Sequence, residues 1–153
     1  MYRGLSHSPK LWVQASVVRC QVSEENEKLG SGPKAGPSVW DMQVFQKAYD
    51  AALEIHRMTL GFPKIEQFEI ASQMRRSSKS ICANLAEGRA KQQGSTAEFR
   101  RYVLIALGSA DETLLWCRFA KDLGYLDPPT HEKLAESFGE IARMLNGLSA
   151  KLR

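Results

Sequence analysis

Two sets of residues in this 153-residue chain could do chemistry: a run of bases, and a scatter of histidines and cysteines. Between Ile70 and Arg101 stand seven bases (Arg75, Arg76, Lys79, Arg89, Lys91, Arg100, Arg101) against two acids (Glu87, Glu98), a local net charge of +5. Arg75 and Arg76 lie four and three residues before Lys79, so on a helix the three share one flank. Clustered guanidinium and ammonium groups suit the phosphate backbone of RNA or DNA, whose counterions they displace. Few aromatics stand ready to stack on bases, so binding here is expected to be led by phosphate and weakly specific for sequence. An ordinary solvated face is the competing reading of the same charges.

The other set points away from catalysis. His7, His56 and His131 are far apart and pair with no cysteine at a metal-ligand spacing. Glu54 and His56 are two residues apart and so do not share a helix face, unlike the Glu-x-x-His pairs of di-metal bundles. Cys82 and Cys117 fall on or beside apolar stripes, where cysteine acts as a small hydrophobe. Three cysteines are too few, and odd in number, for a disulfide framework. No glycine-rich phosphate loop is present. The expectation is a protein that is not an enzyme, with no cofactor and no metal.

The elements that must position the bases are helices. Phe45, Ala48, Ala52, Ile55 and Thr59 mark a first helix, capped by Asp41 or by a Ser38 capping box and closed before Pro63. Ala71, Met74, Ser78, Ile81 and Leu85 mark a second, expected to begin near Lys64–Glu66 and to stop at Gly88. A capping box at Ser95 and Glu98 starts a third, which runs to Leu123-Gly124 with Phe99, Val103, Ala106, Ala110, Thr113, Cys117 and Ala120 on one seam. Asp127-Pro128-Pro129 starts a fourth, along Leu134, Phe138, Ile141, Leu145, Leu148 and Leu152. Short connections and repeated three-and-four spacing predict an all-α, antiparallel up-down-up-down four-helix bundle over residues 41–153. Residues 1–40 read as a flexible extension. Ser23 to Ser38 is rich in glycine, proline and acid, and the apolar run Leu11 to Val18 is short for a targeting signal. No run of ~18 apolar residues exists, so no membrane span is expected, and the cytoplasm is the expected compartment.

The third helix is too apolar for a lone bundle. Fifteen of the 25 residues from Phe99 to Leu123 are apolar, wrapping beyond the ~100° stripe that a surface helix buries. Tyr102, Leu104, Leu107, Leu115, Trp116 and Phe119 are therefore the candidate oligomer interface, with cover by N-terminal residues such as Trp12 and Val13 as the alternative.

Several pieces of the body also match a known pattern: Phe62-Pro63 with Glu66, Ser72-Gln73 with Arg75-Arg76, and Asn84-Leu85-Ala86-Glu87-Gly88. Glu98-Phe99, Ala106-Leu107-Gly108-Ser109 and Leu123-Gly124-Tyr125-Leu126 complete the set. Over about residues 41–150 the chain resembles the bacterial four-helix bundle family of proteins encoded in intervening sequences of 23S ribosomal RNA genes. That family also holds the accessory variability determinant proteins of diversity-generating retroelements. The resemblance implies a homopentamer, a barrel of five bundles around a channel, with no catalytic activity. For the retroelement branch it implies a basic surface that binds nucleic acid and a reverse transcriptase. A scaffold that recruits a protein partner without touching nucleic acid is the second functional reading.

Overall fold

The computed structural model describes residues 38–153 apart from Gln93. The chain divides into Met1–Gly36 and Pro37–Arg153, and the expected N-terminal extension lies, up to residue 37, outside the described residues. Four helices make up the second unit: α1 (Gln43–Thr59), α2 (Ile70–Lys91), α3 (Thr96–Asp122) and α4 (Pro128–Lys151). Among the described residues there is no strand. The bundle is antiparallel, as expected.

Each predicted stripe forms the core. Phe45, Ala48, Ala52, Ile55 and Thr59 of α1 are buried, and so are Ala71, Met74, Ser78, Ile81 and Leu85 of α2. Phe99, Val103, Ala106, Ala110, Thr113, Cys117 and Ala120 face them from α3, with Leu134, Phe138, Ile141 and Leu145 from α4. Burying such side chains stabilises by about 1.5–3 kcal/mol for each large aliphatic or aromatic group.

Helix ends follow the capping chemistry in two cases. Ser95 caps α3, its hydroxyl accepting from Glu98 N at 3.2 Å, and Asp127 caps α4, accepting from Thr130 N at 2.7 Å. The α3 C-terminus closes on Gly124 at φ +78°, with Gly124 N donating to Lys121 O and Tyr125 N to Ala120 O. That paired arrangement satisfies the last carbonyls and needs a residue tolerant of the left-handed region.

Three boundaries differ from the expectation. Asp41 does not cap α1. The alternative capping box at Ser38 does form, with Asp41 accepting from Ser38 N at 2.7 Å, but it closes a short 3-10 turn, Val39–Asp41, and the α1 N-cap falls one residue later, at Met42. The second helix does not begin at Lys64–Glu66. Those residues form a separate 3-10 turn, because Gln67 folds back to donate to the carbonyl of Thr59 at the end of α1 (2.8 Å) and to that of Phe62 in the connection (2.9 Å). Finally, α2 does not stop at Gly88 but continues to Lys91. Gly88 is buried against α3, where a β-carbon would lie 2.6 Å from Tyr102 Cβ and 2.9 Å from Phe99 Cδ2. Its role is close helix packing, not termination.

Small hydroxyl side chains line the rest of that contact. Thr113 donates to Ser77 Oγ at 2.9 Å and Ser109 to Ser80 Oγ at 2.9 Å, fixing the register of α2 on α3. With Gly88 beside Tyr102, these pairs let the two backbones approach closely while each of these hydroxyls keeps a partner.

Candidate nucleic-acid interface

The fold separates the seven sequence-predicted bases into two groups. Arg89 and Lys91 end α2, and Arg100 and Arg101 open α3, so the antiparallel pairing gathers these four at one end of the bundle. The α4 C-terminus joins them: Arg100 Nε donates to Ser149 O at 3.2 Å. This end therefore holds six bases (Arg89, Lys91, Arg100, Arg101, Lys151, Arg153) against three acids (Asp41, Glu87, Glu98), a local net of +3. Arg75, Arg76 and Lys79 lie in the other half of the bundle.

Within the basic end the groups hold one another in place. The Tyr102 hydroxyl donates to Glu87 Oε1 at 2.6 Å, and Lys91 Nζ reaches Tyr102 Oη at 2.6 Å and Glu87 Oε1 at 3.0 Å. Glu98 stands 3.7 Å from the same ammonium. The hydrogen bonds from Tyr102 and then Lys91 hold the Glu87 carboxyl below the usual range for a glutamate. The Tyr102 and Glu87 oxygens likewise push the Lys91 ammonium above its ordinary value. Arg101 lies 5.1 Å from the Tyr102 ring centroid, a cation–π distance. Arg89 is engaged with Gln92. The arrangement fixes an array of cations, Lys91 and Arg101 exposed and Arg89 and Arg100 half-buried, which suits phosphate recognition.

The second group splits again. Arg75 turns inward: its guanidinium donates to Thr59 Oγ1 (3.2 Å), Gln67 Oε1 (3.0 Å) and Gln67 O (2.7 Å). That half-buried clamp ties α2 to the α1–α2 connection and commits both terminal nitrogens of the guanidinium inside the subunit. Arg76 and Lys79 remain exposed on the outer face of α2, without an ion pair among the described residues.

The candidate interface residues also divide. Leu104, Leu115 and Phe119 are exposed by 41%, 52% and 47%, and Trp116 is half-buried, 5.7 Å from the Phe119 ring. Ile105 and Leu123, absent from the candidate set, are as exposed as these. Tyr102 is buried against Gly88, and Leu107 packs on the core, so both are occupied inside the subunit.

Cys82 and Cys117 are thiols, pushed up to about 11 and about 12 by burial. Among the described residues no group of histidine, cysteine and carboxylate ligands could hold a metal. No helix there is long and apolar enough to cross a membrane.

The sequence model of the 23S rRNA-intervening sequence proteins matches residues 40–147, nearly the whole described body. The chain belongs to the 23S rRNA-intervening sequence protein family. A solved structure agrees with that membership: a protein of unknown function from the S23 ribosomal protein family of Bacteroides thetaiotaomicron superposes with a TM-score of 0.61 at 27% identity. The match covers 69% of this chain and 97% of that one. A comparison with curated proteins gave no match. Within the 23S rRNA-intervening sequence family the Asn84–Gly88 segment acquires a structural reading. Asn84 Nδ2 donates to Ser80 O at 2.8 Å, Glu87 anchors Tyr102 and Lys91, and Gly88 admits Tyr102. Sequence spacing points to neither the Arg75 clamp nor the Gly88 packing. The clamp joins residues 8 and 16 positions apart across a turn, a pairing that no helical period reports.

Proposed function

We propose that this protein is a non-enzymatic bundle, assembled as a homopentamer in the cytoplasm, that binds structured RNA or DNA through its phosphate backbone. The observation that carries the reading is the basic end. There Arg89, Lys91, Arg100 and Arg101, predicted from sequence, gather with Lys151 and Arg153 at the close of α4. A cyclic assembly repeats that end in every subunit and multiplies weak interactions into avidity. Binding of this kind is steeply dependent on salt and weakly selective for sequence.

Fluorescence anisotropy with a labelled structured RNA, at low and raised salt, tests the proposal. Arg101→Glu together with Lys151→Glu is expected to weaken binding and to flatten its salt dependence, by about one unit of slope for each phosphate left without its cation. Unchanged binding in that variant contradicts the reading.

A second reading rests on a different observation, the exposed apolar face of α3 formed by Leu104, Ile105, Leu115, Phe119 and Leu123. A face of this kind marks a protein interface. In this reading that face makes the ring, and the ring's acidic or basic rim recruits a protein, such as a reverse transcriptase, and leaves nucleic acid untouched. A pull-down from the native host that returns protein without nucleic acid favours it.

A further inference from the structure

Two seams on the outer faces of α2 and α3 take no part in the subunit's own core. On α2, Ser72, Arg76, Lys79, Ala83, Ala86 and Ala90 recur at alternating intervals of four and three, and all but half-buried Ser72 are exposed. On α3, Leu104, Gly108, Asp111, Leu115 and Phe119 recur at intervals of three or four, all exposed. One seam is small and cationic. The other is bulky and anionic, with Glu112 beside it.

The seams open onto different sides of the bundle. Within the subunit α2 meets α3 through Ser77, Ser80 and Gly88, and the outer α2 seam lies well round the helix from that line. The α3 seam turns instead toward α4, the flank from which Arg100 reaches Ser149. Surfaces that differ and face apart cannot pair about a two-fold axis. They pair head to tail, an arrangement that closes a ring where the rotation from copy to copy completes a circle.

Register supplies the complementarity. The Ser77–Thr113 and Ser80–Ser109 hydrogen bonds fix which positions of α2 and α3 share a height along the bundle. Rotation about an axis parallel to the bundle preserves height, so a neighbour's α3 reaches α2 in the same register. Lys79 then stands level with Asp111, and Arg76 with the segment from Glu112 to Leu115. Ala83 stands level with Gly108, Ala86 with Leu104 and Ser72 with Phe119. Cation meets carboxylate at the middle of the seam, small Ala86 and Ser72 meet bulky Leu104 and Phe119, and Ala83 on Gly108 admits a close backbone approach. Arg76, Lys79 and Asp111 have no ion pair inside the subunit among the described residues.

We infer that the partner of the α2 seam is the α3 seam of a second copy of this chain, with Arg76 and Lys79 facing Asp111 and Glu112 across the joint. The inference rests on the oligomeric part of the proposed function and deepens it, because it assigns Arg76 and Lys79 to the subunit joint and leaves phosphate to the basic end. Opposite charges at a desolvated joint fix register and exclude wrong pairings.

Charge exchange tests it on the full chain, with mass read by light scattering and folding by circular dichroism. The wild type is expected to run as a multiple of 17.1 kDa. Arg76→Glu with Lys79→Glu, and separately Asp111→Lys with Glu112→Lys, should each reduce the mass to that of one helical chain. Combining all four exchanges should restore the multimer. A monomeric wild type overturns the inference, and so does either double variant keeping the wild-type mass. Four exchanges that leave a folded monomer overturn it too. If Arg76→Glu with Lys79→Glu weakens RNA binding while the mass is unchanged, the pair belongs to the nucleic-acid surface instead. Failure of RNA binding in every protein counts against the proposed function and leaves the mass readout intact.

Discussion

Gly88 and Tyr102 lie so close that a β-carbon on the glycine would sit 2.6 Å from the tyrosine's own. This approach brings the Tyr102 hydroxyl within 2.6 Å of Glu87 and Lys91, and so organises the basic end. Gly88→Ala must push α2 from α3, because Tyr102 Cβ is fixed to the α3 backbone and the Phe99 ring is buried with little room to yield. The expected cost is about 1–3 kcal/mol, as for overpacking of a filled core. Thermal and urea melts check it. An unchanged midpoint would show that the helices separate freely.

Arg75 is expected to matter for stability and not for nucleic-acid binding. Arg75→Ala leaves Gln67 and buried Thr59 without their charged partner, at a cost of about 1–3 kcal/mol. RNA affinity of the folded variant, measured by anisotropy, should match the wild type.

The Glu87 carboxyl gives a pH signature. Its hydrogen bonds from Tyr102 and Lys91 depress its folded value. The stabilisation they confer is therefore present above the usual glutamate range and lost as pH falls through the folded value. Melting temperatures of wild type and Tyr102→Phe should differ at neutral pH and converge below the glutamate range. A difference that persists in acid would place the effect in packing.

Burial is expected to slow the reactions of two cysteines, half-buried Cys82 and buried Cys117. With thiols raised to about 11 and about 12, Cys82 and Cys117 should resist iodoacetamide at pH 8 in a Cys20→Ser variant, and both should react once urea unfolds the chain. Alkylation of the native state is followed by mass spectrometry, and rapid modification of Cys117 contradicts its place in the core.

The stripes were legible because a helical period records burial directly. Phe45 to Thr59, Ala71 to Leu85 and Phe99 to Ala120 each lie where spacing put them. Boundaries were less legible, since Gly88 carries the same letter whether it ends a helix or packs inside one. The bases were legible as a cluster in the chain but not in space. Antiparallel pairing carried Arg100 to Ser149, while Gln67 drew Arg75 into the structure. Exposure of Leu104 and Leu115, and occupation of Tyr102 and Leu107, depend on neighbours that one helix's sequence does not show.

The most direct measurement is the salt dependence of RNA binding by wild type and by Arg101→Glu with Lys151→Glu. The basic end predicts measurable affinity at low salt, a steep decline with salt, and a weaker, flatter response in the variant. Equal affinity and equal slope in the two proteins would contradict it.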